Sequence, residues 1–221
     1  MKKLVALMML LSFTVCAYAV PDISYSSDDG GNWSYTASTT TSEEGTFSFV
    51  QPIGVDNVQG LTGDALVAAF LYIPNLGVSN LTLVYSSASG DIYEGDLTPA
   101  GTTITIEDGG GTAILTGTLG TGGVVTVGTT AAMYPTFQVD ITIIGLNNTI
   151  NSDFIDTLAV DDVLDFDLTL NGAVGIDMAS MIRENIDNED GSTLSGSMTV
   201  IPEPATMALL ALGGLLIRKR K

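Results

Sequence analysis

The sequence contains no histidine and a single cysteine, Cys16. Without imidazole there is no Ser–His–Asp triad, no Cys–His dyad and no His-ligated metal centre. One cysteine makes no internal disulfide and no paired-thiol zinc or redox motif. Positive charge is nearly as scarce. Seven Lys+Arg stand against 25 Asp+Glu in 221 residues, a formal net charge of −18. Nucleic acids are held through Lys and Arg at phosphates, so nucleic acid is excluded as an expected partner.

The few cations are placed at the ends. Lys2 and Lys3 open the chain, and Arg218, Lys219, Arg220 and Lys221 close it, leaving Arg183 alone in between. Each basic cluster adjoins an apolar run, which is the format of segments read by membrane machinery. At the N-terminus, Lys2 and Lys3 precede Leu4 to Cys16 (LVALMMLLSFTVC), and Ala17-Tyr18-Ala19 has the A-x-A form of a cleavage site. Residues 1–19 therefore read as a secretory signal peptide cut after Ala19, with Ala17 and Ala19 as the recognised small residues. The partners expected there are the secretion translocon and signal peptidase.

At the other end, Ile201-Pro202-Glu203-Pro204 leads into Ala205 to Ile217 (ATMALLALGGLLI) and then the basic tail. Thirteen apolar residues form a helix of about 20 Å, short of the roughly 30 Å hydrocarbon core of a bilayer. Pro202 and Pro204 oppose extending it backwards. The basic tail is expected to stay on the cytoplasmic side, with the bulk of the chain outside. Proline triplet, apolar helix and Arg/Lys cluster, in that order over about the last 22 residues, resemble the PEP-CTERM sorting domain of exosortase substrates. The resemblance implies an exported chain held transiently in the inner membrane by its sorting segment (residues 201–221), from which exosortase removes the tail. It also implies delivery to the cell surface or an extracellular polysaccharide matrix. It makes Pro202, Glu203 and Pro204 residues that the sorting enzyme recognises.

Between the two ends, Val20 to Ile201 number 182 residues, enough for one domain with a real core. Period-2 alternation recurs between Gly, Asn, Asp and Pro. Phe137, Val139, Ile141 and Ile143 alternate with polar residues, as do Phe166, Leu168 and Leu170, and Ile104 and Ile106. Each run predicts a half-buried strand. Leu81 to Tyr85, Val124 to Val127 and Thr193 to Val200 read as further strands, and Ala65 to Ile73 (ALVAAFLYI) as a strand buried on both faces. Turn signals every eight to twelve residues, among them Gly120-Thr121-Gly122-Gly123, suggest an all-β fold, a β-sandwich or jelly roll, over residues 46–200. One short helix fits Asp177 to Ile186, with Met178, Met181, Ile182 and Ile186 on one face. Residues 20–45, rich in Ser, Thr, Gly and acid, read as a loose arm on which Trp33 and Tyr35 dock onto the domain.

Removing both ends leaves one cation against 24 acids, a net charge of −23. Such self-repulsion needs screening by salt or bound cations. Hard divalent ions take clustered oxygen ligands. The densest clusters are Asp161, Asp162, Asp165 and Asp167, then Asp187, Glu189 and Asp190. The second resembles half of an EF-hand loop, but its glycine, Gly191, falls at the fifth position, and Met198 occupies the twelfth. No organic cofactor is expected; calcium is the one candidate ion, with the first cluster as its ligands. Paired carboxylates can also hydrolyse glycosides. Among so many acids, however, a pair at the required spacing arises by chance. The one internal cation is expected to be occupied by its neighbours Glu184 and Asp187.

The expected function is accordingly a non-enzymatic surface or matrix protein that gathers divalent cations or polysaccharide, with Trp33, Tyr72, Tyr85, Tyr93 and Tyr134 as candidate sugar-stacking rings. An exported carbohydrate-active enzyme using two carboxylates is the alternative.

Overall fold

The computed structural model describes residues 22–27, 33–39, 44–88, 90–98, 102–129, 135–171, 178–187 and 193–201. The expected signal segment, with Ala17 and Ala19, and the sorting segment from Pro202 onward lie outside the described residues. Among the described residues no helix is long and apolar enough to cross a membrane.

Thirteen antiparallel strands form one continuous sheet. They are β1 (Asp22–Ser27), β2 (Trp33–Ala37), β3 (Gly45–Phe49), β4 (Ile53–Val58), β5 (Phe70–Tyr72), β6 (Leu76–Ser87) and β7 (Gly90–Leu97). The series continues with β8 (Thr103–Glu107), β9 (Ala113–Leu119), β10 (Val124–Gly128), β11 (Thr136–Leu146), β12 (Val163–Leu170) and β13 (Leu194–Val200). Among the described residues there is one short α-helix, α1 (Met178–Arg183), after β12.

The sheet closes on itself. The order β12-β13-β1-β4-β5-β8-β9-β11 returns to β12, giving an eight-stranded barrel. The all-β expectation holds, but the two separate sheets of a sandwich are replaced by this ring and its extension. An eight-stranded barrel is just wide enough to be filled by side chains. Here Ile23, Leu71, Ile104, Ile106, Ile141, Leu164, Phe166 and Met198 are fully buried. Strands β11 and β12 carry the clearest alternation, and their inward and outward positions follow it residue by residue.

Strand β11 is where the sheet branches. Along one edge it pairs with β12 from Thr136 to Thr142. Along the other, Thr136 to Gln138 pair with β10 and Ile141 onward with β9. The hand-over from β9 to β10 falls at Gly120-Thr121-Gly122-Gly123. Gly122 has φ +87, and a Cβ on Gly123 would stand 2.9 Å from the Val139 Cβ. Glycine thus lets the turn lie flat against the middle of β11. Beyond it, β10, β7, β6, β3 and β2 form a five-stranded extension. An aromatic cluster ties the extension to the barrel. The Phe47 ring meets Trp33 at 5.8 Å, Tyr35 at 5.0 Å and the barrel residue Phe137 edge-on at 5.1 Å. Such pairs add roughly 0.5–1.5 kcal/mol each beyond the area they bury.

Three expectations are corrected. Residues 22–27 and 33–37, expected in a loose arm, are strands of the sheet, and Trp33 and Tyr35 are core residues of the extension. The run Ala65 to Ile73 is not one buried strand. Ala65–Ala68 is a 3-10 turn capped by Asp64, only Phe70–Tyr72 is strand, and Val67 is 42% exposed. A carboxylate just before an apolar run offers the backbone a capped turn in place of a ladder. On α1, Met178, Met181 and Ile182 are buried as expected, whereas Ile186 lies beyond the helix and is exposed.

Candidate functional site

Register fixes where the chain enters and leaves the barrel. Asp22, the first residue of β1, is the cross-strand partner of Thr199 near the end of β13. The Ile201 amide donates to the Val163 carbonyl at 3.0 Å, so pairing continues to the residue before Pro202. Both ends of the described chain therefore emerge side by side at one pole. The loops 59–69 and 147–162 connect strands at that same end. Asp64 joins them: its carboxylate accepts from the Leu66 amide at 2.8 Å and from the Phe154 amide at 3.0 Å. Leu66, Phe154 and Ile155 are buried beneath. Burial alone would raise the Asp64 pKa. The amides of Leu66, Phe154 and Asp153 and the Ser152 side chain outweigh it and hold the carboxyl below its ordinary range,.

The four acids expected to hold calcium are spread along this region. Asp161 takes a left-handed φ of 77 in the turn before β12, and its amide donates to the Ile143 carbonyl at 2.8 Å. The Asp162 carboxylate accepts from the Ala159 amide at 2.7 Å, closing the same turn. Asp165 and Asp167 follow on the outer face of β12, with Asp140 of β11 directly opposite Asp165. Burial, then the charges of Asp167 and Asp140, push the Asp165 carboxyl above its ordinary range. The like charges thus add to the cost of burial. Among the described residues no three acids are grouped to hold a metal ion. In the second cluster, Asp187 accepts from the Ala37 amide at 2.8 Å, which pins α1's exit to the free edge of β2. Glu189, Asp190 and Gly191 lie outside the described residues.

Arg183 is engaged elsewhere than expected. Its guanidinium lies 4.9 Å from the centroid of the Tyr93 ring and donates to the Tyr93 hydroxyl at 2.9 Å. The aromatic candidates divide accordingly. Trp33 is buried and donates its indole N–H to the Asn171 carbonyl at 3.1 Å, and Tyr93 is buried under Arg183. Tyr72 is half-buried and Tyr85 is 56% exposed; Tyr134 lies outside the described residues.

The extension carries a feature that the sequence reading missed. An open groove of about 700 Å³ crosses its outer face, lined by Thr36, Thr46, Ser48, Gly77, Ser79 and Thr98 among others. Thr36 stands opposite Thr46, and Thr46 opposite Gly77, whose carbonyl accepts from the Thr98 amide at 2.9 Å. The hydroxyls thus form rungs across neighbouring strands. A Cβ on Gly77 would sit 2.2 Å from the Thr98 hydroxyl oxygen, so glycine gives that hydroxyl its room. The signal was the Ser/Thr alternation with Tyr35 and Phe47, hidden by reading the segment as an arm.

Residues 200–221 match the PEP-CTERM protein-sorting motif. The chain thus bears the signal that directs exported proteins to membrane-associated sorting by exosortase. No curated protein and no solved structure matches it.

Proposed function

We propose that this is a non-enzymatic surface or matrix protein: a secreted β-barrel domain, delivered by exosortase, whose extension contacts extracellular polysaccharide. The observation that carries the reading is the sorting motif, which begins at the last residue of the last barrel strand. The hydroxyl-lined groove supports the polysaccharide contact, since Ser and Thr both donate to and accept from sugar hydroxyls, and the exposed Tyr85 adds a stacking face. Divalent cations gather around the acidic surface as a diffuse atmosphere, because Asp165 and Asp167 are spread along the outer face of β12 and the Asp162 carboxylate is bonded to the Ala159 amide. The enzyme alternative is disfavoured by the engagement of Arg183 with Tyr93, which occupies the one internal cation that could stabilise developing negative charge.

The test is processing in a host that has exosortase. The chain should lose about its last 20 residues and leave the inner membrane. Replacing Pro202, Glu203 and Pro204 with alanine should leave it there at full length. Release of that variant at the normal rate would overturn the proposal.

A further inference from the structure

The distance between the barrel and the sorting tail's apolar run is short enough to fix how the domain stands on the membrane. Strand β13 ends at Val200, and the apolar run begins at Ala205. Those five steps span at most about 17 Å of extended chain. The headgroup layer takes up roughly 5–7 Å of that on each side of the hydrocarbon. About 10 Å of water is the most that can separate the barrel from the lipid surface. An apolar run of about 20 Å is also shorter than the hydrocarbon core, and mismatch of that sign draws its flanks inward.

The side of the barrel that faces the lipid follows from the register. It is the pole where Asp22 pairs with Thr199 and where loops 59–69 and 147–162 close the barrel. Three exposed apolar residues belong to this end: Ile144 at 53%, Val160 at 52% and Ile201 at 41%. They are held close to one another, since Asp161 bonds to Ile143 and Ile201 to Val163. The β6–β7 hairpin points the other way. Thr136 is at the far end of β11 and pairs with Thr126 of β10; Gly128 of β10 then pairs with Ile92, just beyond the hairpin turn.

We propose that this closed pole is a lipid-facing surface, held against the bilayer headgroups for as long as the tail is uncut, with the β6–β7 hairpin directed away from the membrane. The proposal rests on the reading of residues 201–221 as a membrane segment. Asp22, Asp161 and Asp162 lie at the same pole, and their charges oppose anionic lipid. The surface is therefore held by the tether and lets go once the tail is removed. Sorting releases the domain without any change in its fold.

The test uses the signal-cleaved, full-tailed protein, which has no cysteine once Cys16 is removed. A fluorophore is placed through Val160→Cys at the pole or Leu83→Cys at the hairpin, both half-exposed positions. The protein is incorporated into vesicles of phosphatidylethanolamine and phosphatidylglycerol that carry a headgroup quencher. Quenching should be severalfold stronger at position 160 than at 83. A chain ending at Ile201 should show neither quenching nor vesicle association. Equal quenching at both positions, with the protein bound, would overturn the lipid-facing pole and leave the tail reading standing. Failure of the full-tailed protein to associate would overturn both. Shielding of position 160 only when exosortase is co-incorporated would assign the pole to the enzyme and overturn the lipid assignment.

Discussion

The phenol of Tyr25 lies across Gly196, its cross-strand partner in β13, and donates to the Asp167 carbonyl at 2.5 Å. A Cβ on Gly196 would stand 2.3 Å from the Tyr25 hydroxyl and 2.1 Å from that carbonyl. The ring stacks on Phe166 at 5.8 Å in the barrel interior. One glycine thus lets a tyrosine cross the β1–β13 seam and bond the next strand but one. Gly196→Ala should destabilise the domain by about 1–3 kcal/mol, the usual cost of overpacking a core. Tyr25→Phe should cost about 0.5–1.5 kcal/mol for the lost hydrogen bond. In a Tyr25→Ala background the Gly196→Ala penalty should shrink but persist, because the Asp167 carbonyl remains. Urea melts of the wild type, Gly196→Ala, Tyr25→Ala and the double variant measure the coupling; strict additivity would refute the close approach.

The same tyrosine, with Tyr35, sets an alkaline limit. Burial, then the charge of Asp167, raises the Tyr25 pKa well above its ordinary value. Burial and then Asp187 push Tyr35 up to about 12. Both hydroxyls stay neutral in the fold while the unfolded chain ionises near pH 10. The stability they support is complete below that pH and is lost above it, the Tyr35 share as pH rises through about 12,. Melting temperature should fall across this window, and Tyr35→Phe should flatten the fall. An alkaline profile unchanged by that substitution would contradict the assignment.

Asp64 gives the opposite sign. Its folded pKa is depressed by the amides it accepts from. Its contribution is present above the unfolded carboxylate pKa near 3.9 and lost as pH falls through the folded value. Asp64→Ala should leave the Leu66 and Phe154 amides unpaired beneath the loops, at about 1–3 kcal/mol each. The penalty at pH 7 should exceed that at pH 3. The check is melting at both pH values, and a penalty independent of pH would exclude an ionised carboxylate in this role.

What the sequence disclosed and what it withheld divide along physical lines. Strands β8, β11, β12 and β13 were legible because their outer faces are polar, so alternation marks them directly. The run after Asp64 was not legible, since an apolar stretch carries no periodicity to separate strand from capped turn. Closure was also hidden. It depends on β11 meeting β12 on one edge and both β10 and β9 on the other, which is partner choice rather than local pattern. The sorting motif was legible because charge, proline and length coincide in one short segment. The groove was missed because its hydroxyl rungs come from strands that are distant in sequence.

The crowding on β12 makes a substitution prediction contrary to the usual trend. Asp165 faces Asp140 across the strands and has Asp167 on the same face. Like charges directly opposite in a sheet cost roughly 0.2–1 kcal/mol. Asp165→Asn should raise stability by about that amount at neutral pH and low salt. Because the folded pKa of Asp165 is raised, the wild-type chain recovers the loss as pH falls through that value. The gain should therefore fade toward pH 3 and should also shrink in high salt. A destabilised Asp165→Asn protein at low salt would mean that the carboxylate has a ligand.

Calcium decides between a caged ion and a diffuse atmosphere. With Asp162 bonded to Ala159 and Asp165 repelled by its neighbours, the β12 cluster should respond to ionic strength rather than to ion identity. Millimolar calcium and magnesium at matched ionic strength should give superimposable melting curves, both above the low-salt curve, because screening relieves the net charge. A caged site would behave otherwise: at one hundred times its dissociation constant a ligand adds about 2.7 kcal/mol, which for a domain of this size is a shift of several degrees. A calcium-only, saturable rise in melting temperature, abolished by Asp161→Asn together with Asp167→Asn, would overturn the diffuse picture and restore the β12 acids as ligands.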